Sequence, residues 1–473
     1  MRTPIVIDKR DPTPLHRQIY DAWREGILKR RLRPGERVPS TRELASGLQV
    51  SRSTVTQAYE QLIAEGYLES VHGAGTFVCR ELPEALLRTK PTARQHASQT
   101  APRLSRLGAR LTNDFVYPPT PKGFICFSRW GPDLQRFPFP LWRKLLSRNL
   151  RHAAPESFNY ARDAQGYEPL RREIAAYVSR SRAVQCTAEQ VVVLNGSQQA
   201  LDFCARLLLE EGEEVAFENP GYLGTRRIFT AYGARLQPVR VDAEGIVVDE
   251  LSPTARAVYV TPSHQFPTGV SMSLKRRLAL IDWARQHGAV LIEDDYDSEY
   301  RYSGPPLPAL QGLAHDVPVI YCGTFSKVMF PGLRVGYVVA PPSLAQVFTR
   351  LKWIADRHTP LLEQAALADF ISEGHLERHI RRMRRLYGRR REVLMDALQR
   401  HFGSAVDVVG DPAGMHVMAR FERGDLVERG LRAKVLVLDA AQYYLARAPG
   451  QEYLLGFSAL SERAIREGIR RLS

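Results

Sequence analysis

The sequence predicts a two-domain protein, with a small α+β unit at the N-terminus and a larger α/β unit behind it. Three observations predict this. Residues 12–79 are dense in short helical patterns and end on a glycine turn between two short β-type runs. Residues 80–113 lose that periodicity and become polar and small. From about residue 114 onward, apolar β-branched runs alternate with helical or loop stretches. The 473 residues suit this division, since domains usually hold about 100–200 residues.

Composition narrows the class. With 44% hydrophobic and 25% charged residues, the chain can bury a sizeable core, which excludes a disordered, collagenous or small disulfide-stapled protein. Sixty-six Lys and Arg against 51 Asp and Glu leave a charge of +15, which permits a polyanionic partner. No apolar run approaches the length of a membrane-spanning helix. Residues 1–11 carry no apolar signal core, so a cytoplasmic protein is expected. The five cysteines, Cys79, Cys126, Cys186, Cys204 and Cys322, form no C-x-x-C pair, so reduced thiols are expected, with neither a metal site nor disulfides.

In the first unit, Leu15, Ile19, Trp23 and Ile27 recur every fourth residue and mark one face of a helix. Pro34-Gly35 ends it. Ser40-Thr41-Arg42-Glu43 fits a capping box, and the helix it opens turns Leu44 and Leu48 inward. Ser51 caps a third helix with Val55, Tyr59 and Leu62 on one face and Arg52, Ser53, Thr56 and Gln57 on the other. Gly66 ends that helix, and two short strands flank His72-Gly73-Ala74-Gly75. Three helices and a hairpin describe a winged helix-turn-helix. Hydroxyl and guanidinium groups at the start of its third helix suit base edges and phosphates in a major groove.

Arg33-Pro34-Gly35-Glu36-Arg37-Val38-Pro39-Ser40-Thr41-Arg42-Glu43-Leu44-Ala45, Val50-Ser51-Arg52-Ser53-Thr54-Val55 and Gly73-Ala74-Gly75-Thr76-Phe77-Val78 closely resemble the GntR-type DNA-binding domain. The resemblance runs over residues 12–78 and implies double-stranded DNA as partner. It implies contacts from Arg42, from Ser51, Arg52, Ser53 and Thr54, and from His72 and Gly73 of the wing.

Residues 80–113 read as a flexible linker, with seven Lys and Arg against two Glu. Its charge either brushes DNA phosphates or only solvates a tether.

In the second unit, the runs Val191–Leu194, Val215–Phe217, Ala257–Val260, Ala289–Ile292, Val319–Tyr321 and Val335–Val339 predict buried strands in a mostly parallel sheet covered by helices. Ligands of such sheets sit beyond the carboxyl ends of the strands. There the chain places Asn195-Gly196-Ser197-Gln198, a glycine turn into a helix whose amides suit phosphate. It then places Tyr222, an aromatic ring available to stack, and Asp294-Asp295-Tyr296, acid and phenol together. Gly323-Thr324-Phe325-Ser326-Lys327 follows, a lysine among hydroxyls, with Arg334 beyond it. Together these are the parts needed to hold pyridoxal 5′-phosphate.

The layout over residues 114–473 resembles the fold-type I, class I aminotransferases. That resemblance implies Lys327 as the Schiff-base lysine, Asp294 as the partner of the pyridine nitrogen and Tyr296 as the phenol facing the ring hydroxyl. Spacing alone leaves Asp294 and Asp295 open. The resemblance also implies Tyr222 as the stacking ring and Ser197, Gln198, Thr324, Ser326 and Arg334 as the phosphate shell. Tyr160 would reach the partner subunit's phosphate, which makes a homodimer the expected state. The order of the modules is similar to the MocR subfamily of GntR-type bacterial transcription regulators, as are the strings Asp294-Asp295-Tyr296-Asp297-Ser298-Glu299-Tyr300 and Thr261-Pro262-Ser263-His264-Gln265-Phe266-Pro267-Thr268-Gly269.

Two departures from the aminotransferase pattern bear on function. Phe266 stands where those enzymes carry an Asn bonded to the cofactor ring oxygen, so that bond is lost unless His264 or Gln265 replaces it. Leu454 stands where they carry an Arg that clamps the substrate carboxylate, with Arg226 or Arg447 as possible substitutes. The expected function is therefore a regulator that senses rather than turns over its ligand, with half-transamination still open. Its effector would be an amine or amino compound, or the cofactor itself. The alternatives are a working aminotransferase with a regulatory head and a regulator with a dead pocket. The segment Arg378 to Arg391, with eight arginines, reads either as a solvated helix face or as extra DNA contact.

Overall fold

The computed structural model describes residues 5, 7–82, 103–111, 120–160, 163–304, 307–422, 424–445 and 448–473. The chain divides into two compact units, residues 1–103 and 104–473.

The first unit contains α1 (Leu15–Leu28), α2 (Thr41–Leu48), α3 (Arg52–Ala64), β1 (Leu68–Val71) and β2 (Gly75–Val78). Ile19, Trp23 and Ile27 of α1 are buried as the periodicity predicts, but Leu15 is only half-buried and Tyr20 takes a core place. The reason is helical geometry: a strict four-residue repeat drifts by roughly 40° per step, so its outermost member leaves the buried face. Trp23 packs edge-on against Tyr59 of α3 with ring centroids 5.9 Å apart, and Val55 and Leu62 complete that face. The capping box forms in full. Glu43 N donates to Ser40 Oγ at 3.2 Å and Ser40 N donates to Glu43 Oε2 at 2.8 Å. Ser40→Ala is expected to destabilise α2 by about 1 kcal/mol, read as faster hydrogen exchange of the amides of residues 41–48. Ser51 Oγ accepts from Thr54 N at 3.2 Å and starts α3. β1 and β2 pair antiparallel around a turn in which Gly73 takes a φ of 76°, open to glycine at little cost.

One expectation for the linker needs correcting. Within residues 80–113, Arg106–Arg110 form a short helix that belongs to the second unit, with Ser105 as its cap. Arg106 and Arg110 both pair with Glu211, at 2.8 and 2.6 Å. Two of the linker's arginines are thus bound to the protein's own carboxylate. The polar stretch Lys90–Pro102 lies outside the described residues.

The strands of the second unit are β3 (Ile125–Cys126), β4 (Val191–Leu194), β5 (Glu214–Asn219), β6 (Arg235–Asp242), β7 (Gly245–Ile246) and β8 (Ala257–Val260). Then come β9 (Val290–Asp295), β10 (Val319–Thr324), β11 (Gly336–Val339), β12 (Val406–Val409) and β13 (His416–Phe421). β14 (Val435–Leu436), β15 (Leu438–Asp439) and β16 (Glu452–Gly456) close the series. An eight-stranded sheet runs in the order β4-β11-β10-β9-β8-β5-β6-β7. β11 is antiparallel to both its neighbours and β7 to β6, while the remaining pairs are parallel. Side chains alternate between two cores: Val191 and Val193 of β4 enter one, Val192 and Leu194 the other. This burial on both faces is why the runs read as unbroken apolar segments. A smaller antiparallel sheet follows the order β12-β13-β16-β15. No helix among the described residues is long and apolar enough to cross a membrane.

Candidate cofactor site and DNA-contact face

The carboxyl ends of the parallel strands open into a cavity of about 240 Å³. Ser197, Gln198, Tyr222, Asp294, Tyr296, Thr324, Ser326, Lys327 and Arg334 all line it. They arrive from the ends of five strands: Ser197 and Gln198 after β4, Tyr222 after β5, Asp294 and Tyr296 at the end of β9, Thr324, Ser326 and Lys327 at the end of β10, and Arg334 just before β11. Gly196 leaves β4 with a φ of 91° and lets the backbone turn into the helix Ser197–Leu208. A Cβ at Gly196 would lie 3.0 Å from the Arg334 guanidinium, so Arg334 lies against this turn, where it donates to Asn195 O at 2.8 Å. The turn is braced from behind. Lys352, fully buried, donates to Gln199 at 3.0 Å and to Asp356 at 2.9 Å, and Asn195 Nδ2 donates to Asp356 at 2.6 Å.

Strand alternation separates the two adjacent acids. Asp294 lines the cavity, and Tyr259 donates to its Oδ2 at 2.8 Å. Its Oδ1 is buried and has no partner among the described residues. Burial, reinforced by Asp295 and Asp297, pushes the Asp294 carboxyl up to about 7, against the Tyr259 hydrogen bond and Lys327. Asp295 projects away from the cavity into an ion pair with Arg182 at 2.7 Å and accepts from Tyr321 at 2.7 Å. Burial acts most strongly on Asp295 too, but Arg182 together with hydrogen bonds from Ser298 and Tyr321 outweighs it and holds this acid below the ordinary carboxylate range. Burial likewise lowers the Lys327 amine, against the pull of Asp297 and Asp294.

Tyr296 Oη lies 2.9 Å from His264 Nδ1, which also meets Asp297 at 3.0 Å. Phe266 lines the cavity, and neither His264 nor Gln265 does. The Gln265 amide is spent on Glu218, Pro220 O and Phe266 O, so it does not replace the missing asparagine. Arg226 donates to Gln442 O and Tyr444 O, at 3.3 and 3.0 Å, and is also not at the cavity. Arg447 lies outside the described residues. Tyr160 is 74% exposed and does not line this chain's own cavity.

Sequence reasoning missed several lining residues. Tyr259 sits inside a strand run that reads as core, and only its pairing with Asp294 reveals it. Trp130 and Thr261 also line the cavity, and no local motif marks Trp130.

The groups present fit pyridoxal 5′-phosphate, the cofactor this fold implies. A buried carboxylate oxygen lacks a partner, an amine stands in the same cavity, and a glycine turn under a guanidinium offers donors to an anion.

On the first unit, Arg42, Ser51, Arg52, Ser53, His72 and Gly73 are exposed, and Thr54 is half-buried. Arg52 Nε donates to Thr41 Oγ1 at 3.3 Å, which ties α3 to α2. The Ser51 hydroxyl meets Ser53 at 2.8 Å and Thr54 at 2.7 Å, so part of this set is committed to capping. On the second unit, Arg378, Arg381, Arg382, Arg385 and Arg389 of the helix His375–Phe402 line a groove of about 480 Å³. Arg390 is instead buried against Asp133 at 2.7 Å.

Comparison with known proteins fits both units. Residues 15–78 match the bacterial regulatory proteins of the gntR family, and residues 106–472 match aminotransferase class I and II. A probable rhizopine catabolism regulatory protein, MocR, from Rhizobium meliloti is 40% identical over 99% of this chain and 95% of its own length. The chain belongs to the MocR-type regulators of the GntR family. The pyridoxine biosynthesis transcriptional regulator PdxR of Corynebacterium glutamicum, 32% identical over 98% of this chain and 96% of its own, has the same span. Among solved structures, the α-aminoadipate aminotransferase LysN of Thermus thermophilus, complexed with N-(5′-phosphopyridoxyl)-L-leucine, superposes with a TM-score of 0.69. It is 32% identical and covers 74% of this chain and 91% of its own. As a MocR-type regulator, the chain joins a DNA-binding head to a pyridoxal-phosphate-binding, aminotransferase-like unit.

Proposed function

We propose that this regulator acts in the cytoplasm as a homodimer and reads an amine, an amino compound or the cofactor itself through the cavity of its second unit. In this reading residues 1–79 hold DNA, 80–113 connect, with the helix Arg106–Arg110 at their end docked on the second unit, and 114–473 bind cofactor and effector. The observation that carries it is the convergence of nine side chains from the ends of five strands on one cavity. Lys327 holds the cofactor covalently. Asp294 faces its ring nitrogen, Tyr296 its ring hydroxyl and Tyr222 its ring face, while Ser197, Gln198, Thr324, Ser326 and Arg334 hold its phosphate. Tyr160, exposed on this chain, reaches the partner subunit's phosphate. When bound, the cofactor supplies an electrophilic carbon that exchanges one amine for another and draws electrons into its ring. An effector with unequal affinity for two domain arrangements shifts their populations and so changes DNA occupancy. The test is visible absorbance of the cofactor-loaded protein during addition of amines, with DNA binding measured in parallel. A spectral change that alters DNA affinity supports the reading, whereas DNA affinity indifferent to every such change defeats it.

The likeness to LysN, together with the lysine, acid and phenol lining the cavity, favours a second reading, an active aminotransferase with a regulatory head. Continuous keto-acid production would establish it.

Arg42, Ser51, Arg52, Ser53, Thr54, His72 and Gly73 are proposed to contact DNA. Affinity for a non-specific duplex is expected to fall with salt at a log–log slope of about −0.9 per phosphate neutralised. Arg42→Ala is expected to shrink the slope by about 1. A flat salt profile would refute these contacts.

A further inference from the structure

The apolar part of the cavity lining says what kind of amine it admits. Among the described residues that line the cavity, Lys327 and Arg334 are the cations. Arg334 is placed against Gly196 and Asn195 O, on the anion-cradling side. Trp130, Phe266 and Pro331 give the lining an apolar part, and Phe266 is backed by a buried row. Leu454 of β16 pairs in register with Met418 of β13 and Leu438 of β15, and this row packs with Phe266, Ala440 and Tyr443. Leu454 is fully buried. Phe266 packs against two other lining rings, Trp130 at 5.5 Å and Tyr222 at 5.6 Å between centroids, and against Tyr443 at 5.0 Å. The acid in the lining is Asp294, and both Asp294 and Asp297 act on Lys327.

A carboxylate brought against Phe266 would lose water and gain no cation beyond Lys327 and Arg334 among the described lining residues, with Asp294 in the same cavity. An uncompensated buried charge of that kind costs several kcal/mol. An apolar group in the same place gains by burial. We propose that the effector is a primary amine without an α-carboxylate, carrying an apolar or aromatic body that rests on Phe266 and Trp130, which line the cavity with Leu454 and Tyr443 packed around Phe266. The inference rests on the reading of Lys327 and the cofactor given above and names the ligand class of that same site.

The experiment uses full-length protein loaded with pyridoxal 5′-phosphate and two matched pairs: 2-phenylethylamine against L-phenylalanine, and 3-methylbutylamine against L-leucine. The readout is the half-saturation concentration for the change in cofactor absorbance. Each amine is expected to saturate at a concentration at least about tenfold lower than its amino acid, since 1.4 kcal/mol is a factor of ten. Amino acids that match or outperform their amines overturn the proposal, as does a cofactor-loaded protein whose spectrum moves with neither class. Borohydride reduction followed by peptide mapping separates this failure from failure of the site itself. A label on Lys327 with no preference for amines refutes only the ligand class. A Lys327 without label refutes the site assignment and, with it, the ligand class.

Discussion

Lys327→Ala is expected to abolish covalent retention of pyridoxal 5′-phosphate completely. Lys327 supplies the one amine among the described residues lining the cavity, and a guanidinium such as Arg334 does not form that bond at neutral pH. Burial lowers the Lys327 amine, which raises the share of the neutral, nucleophilic form. After borohydride treatment and denaturation, the native chain should carry one reduced cofactor on the peptide containing residue 327, and the variant none. Lys352→Ala is the control. Lys352 is also a buried lysine, but it is held by Gln199 and Asp356 behind the Gly196 turn and does not line the cavity. That variant should weaken phosphate retention yet keep the label at Lys327. The fold of residues 7–82 has its own core around Trp23, Val55 and Tyr59, so non-specific DNA binding should survive in both variants. Label persisting in Lys327→Ala would remove Lys327 from its assigned role.

Local signals carried most of the architecture. The capping box at Ser40 and Glu43 needs only four adjacent residues, and it forms as written. Val191–Leu194 and Ala257–Val260 are strands over the residues of their apolar runs because both faces are buried. The cavity was legible for a similar reason. A parallel sheet brings its strand ends together, so residues next in sequence to each run meet in space. What stayed hidden depends on partners far along the chain. Asp294 and Asp295 are adjacent, identical residues at the end of one strand. Only the placement of Arg182 and Tyr321 on one face and Tyr259 on the other separates them. The reversed direction of β11 leaves no mark in its composition. Helix Arg106–Arg110 escaped because its hold on the protein is an ion pair with Glu211, about a hundred residues away.

Removing the Asp294 charge should alter how stability depends on pH in cofactor-free protein. Its carboxyl rises from 3.8 to about 7 on folding, first through burial and then through Asp295 and Asp297. Between those values the folded chain binds more protons at this site than the unfolded one. Its contribution to stability is therefore fully present below about pH 4 and is lost as pH rises towards about 7, where the loss levels off. A shift of this size corresponds to a loss on the order of 4 kcal/mol. Glu218 and Glu299, both pushed up to about 7 by burial, act in the same direction, while Asp295, lowered by Arg182 against its burial, acts in the opposite one. Asp294→Asn keeps the shape and removes the titration. Urea midpoints of cofactor-free protein should then fall less steeply from pH 4 to pH 8 in the variant than in the native chain. Asp294 facing a cationic ring nitrogen would return to the ordinary carboxylate range, so cofactor-loaded native protein should also lose less stability over that interval. Loaded Asp294→Asn should gain no such relief, because its amide carries no charge to answer the ring. A native chain and variant with the same pH slope, with and without cofactor, would place Asp294 outside the site.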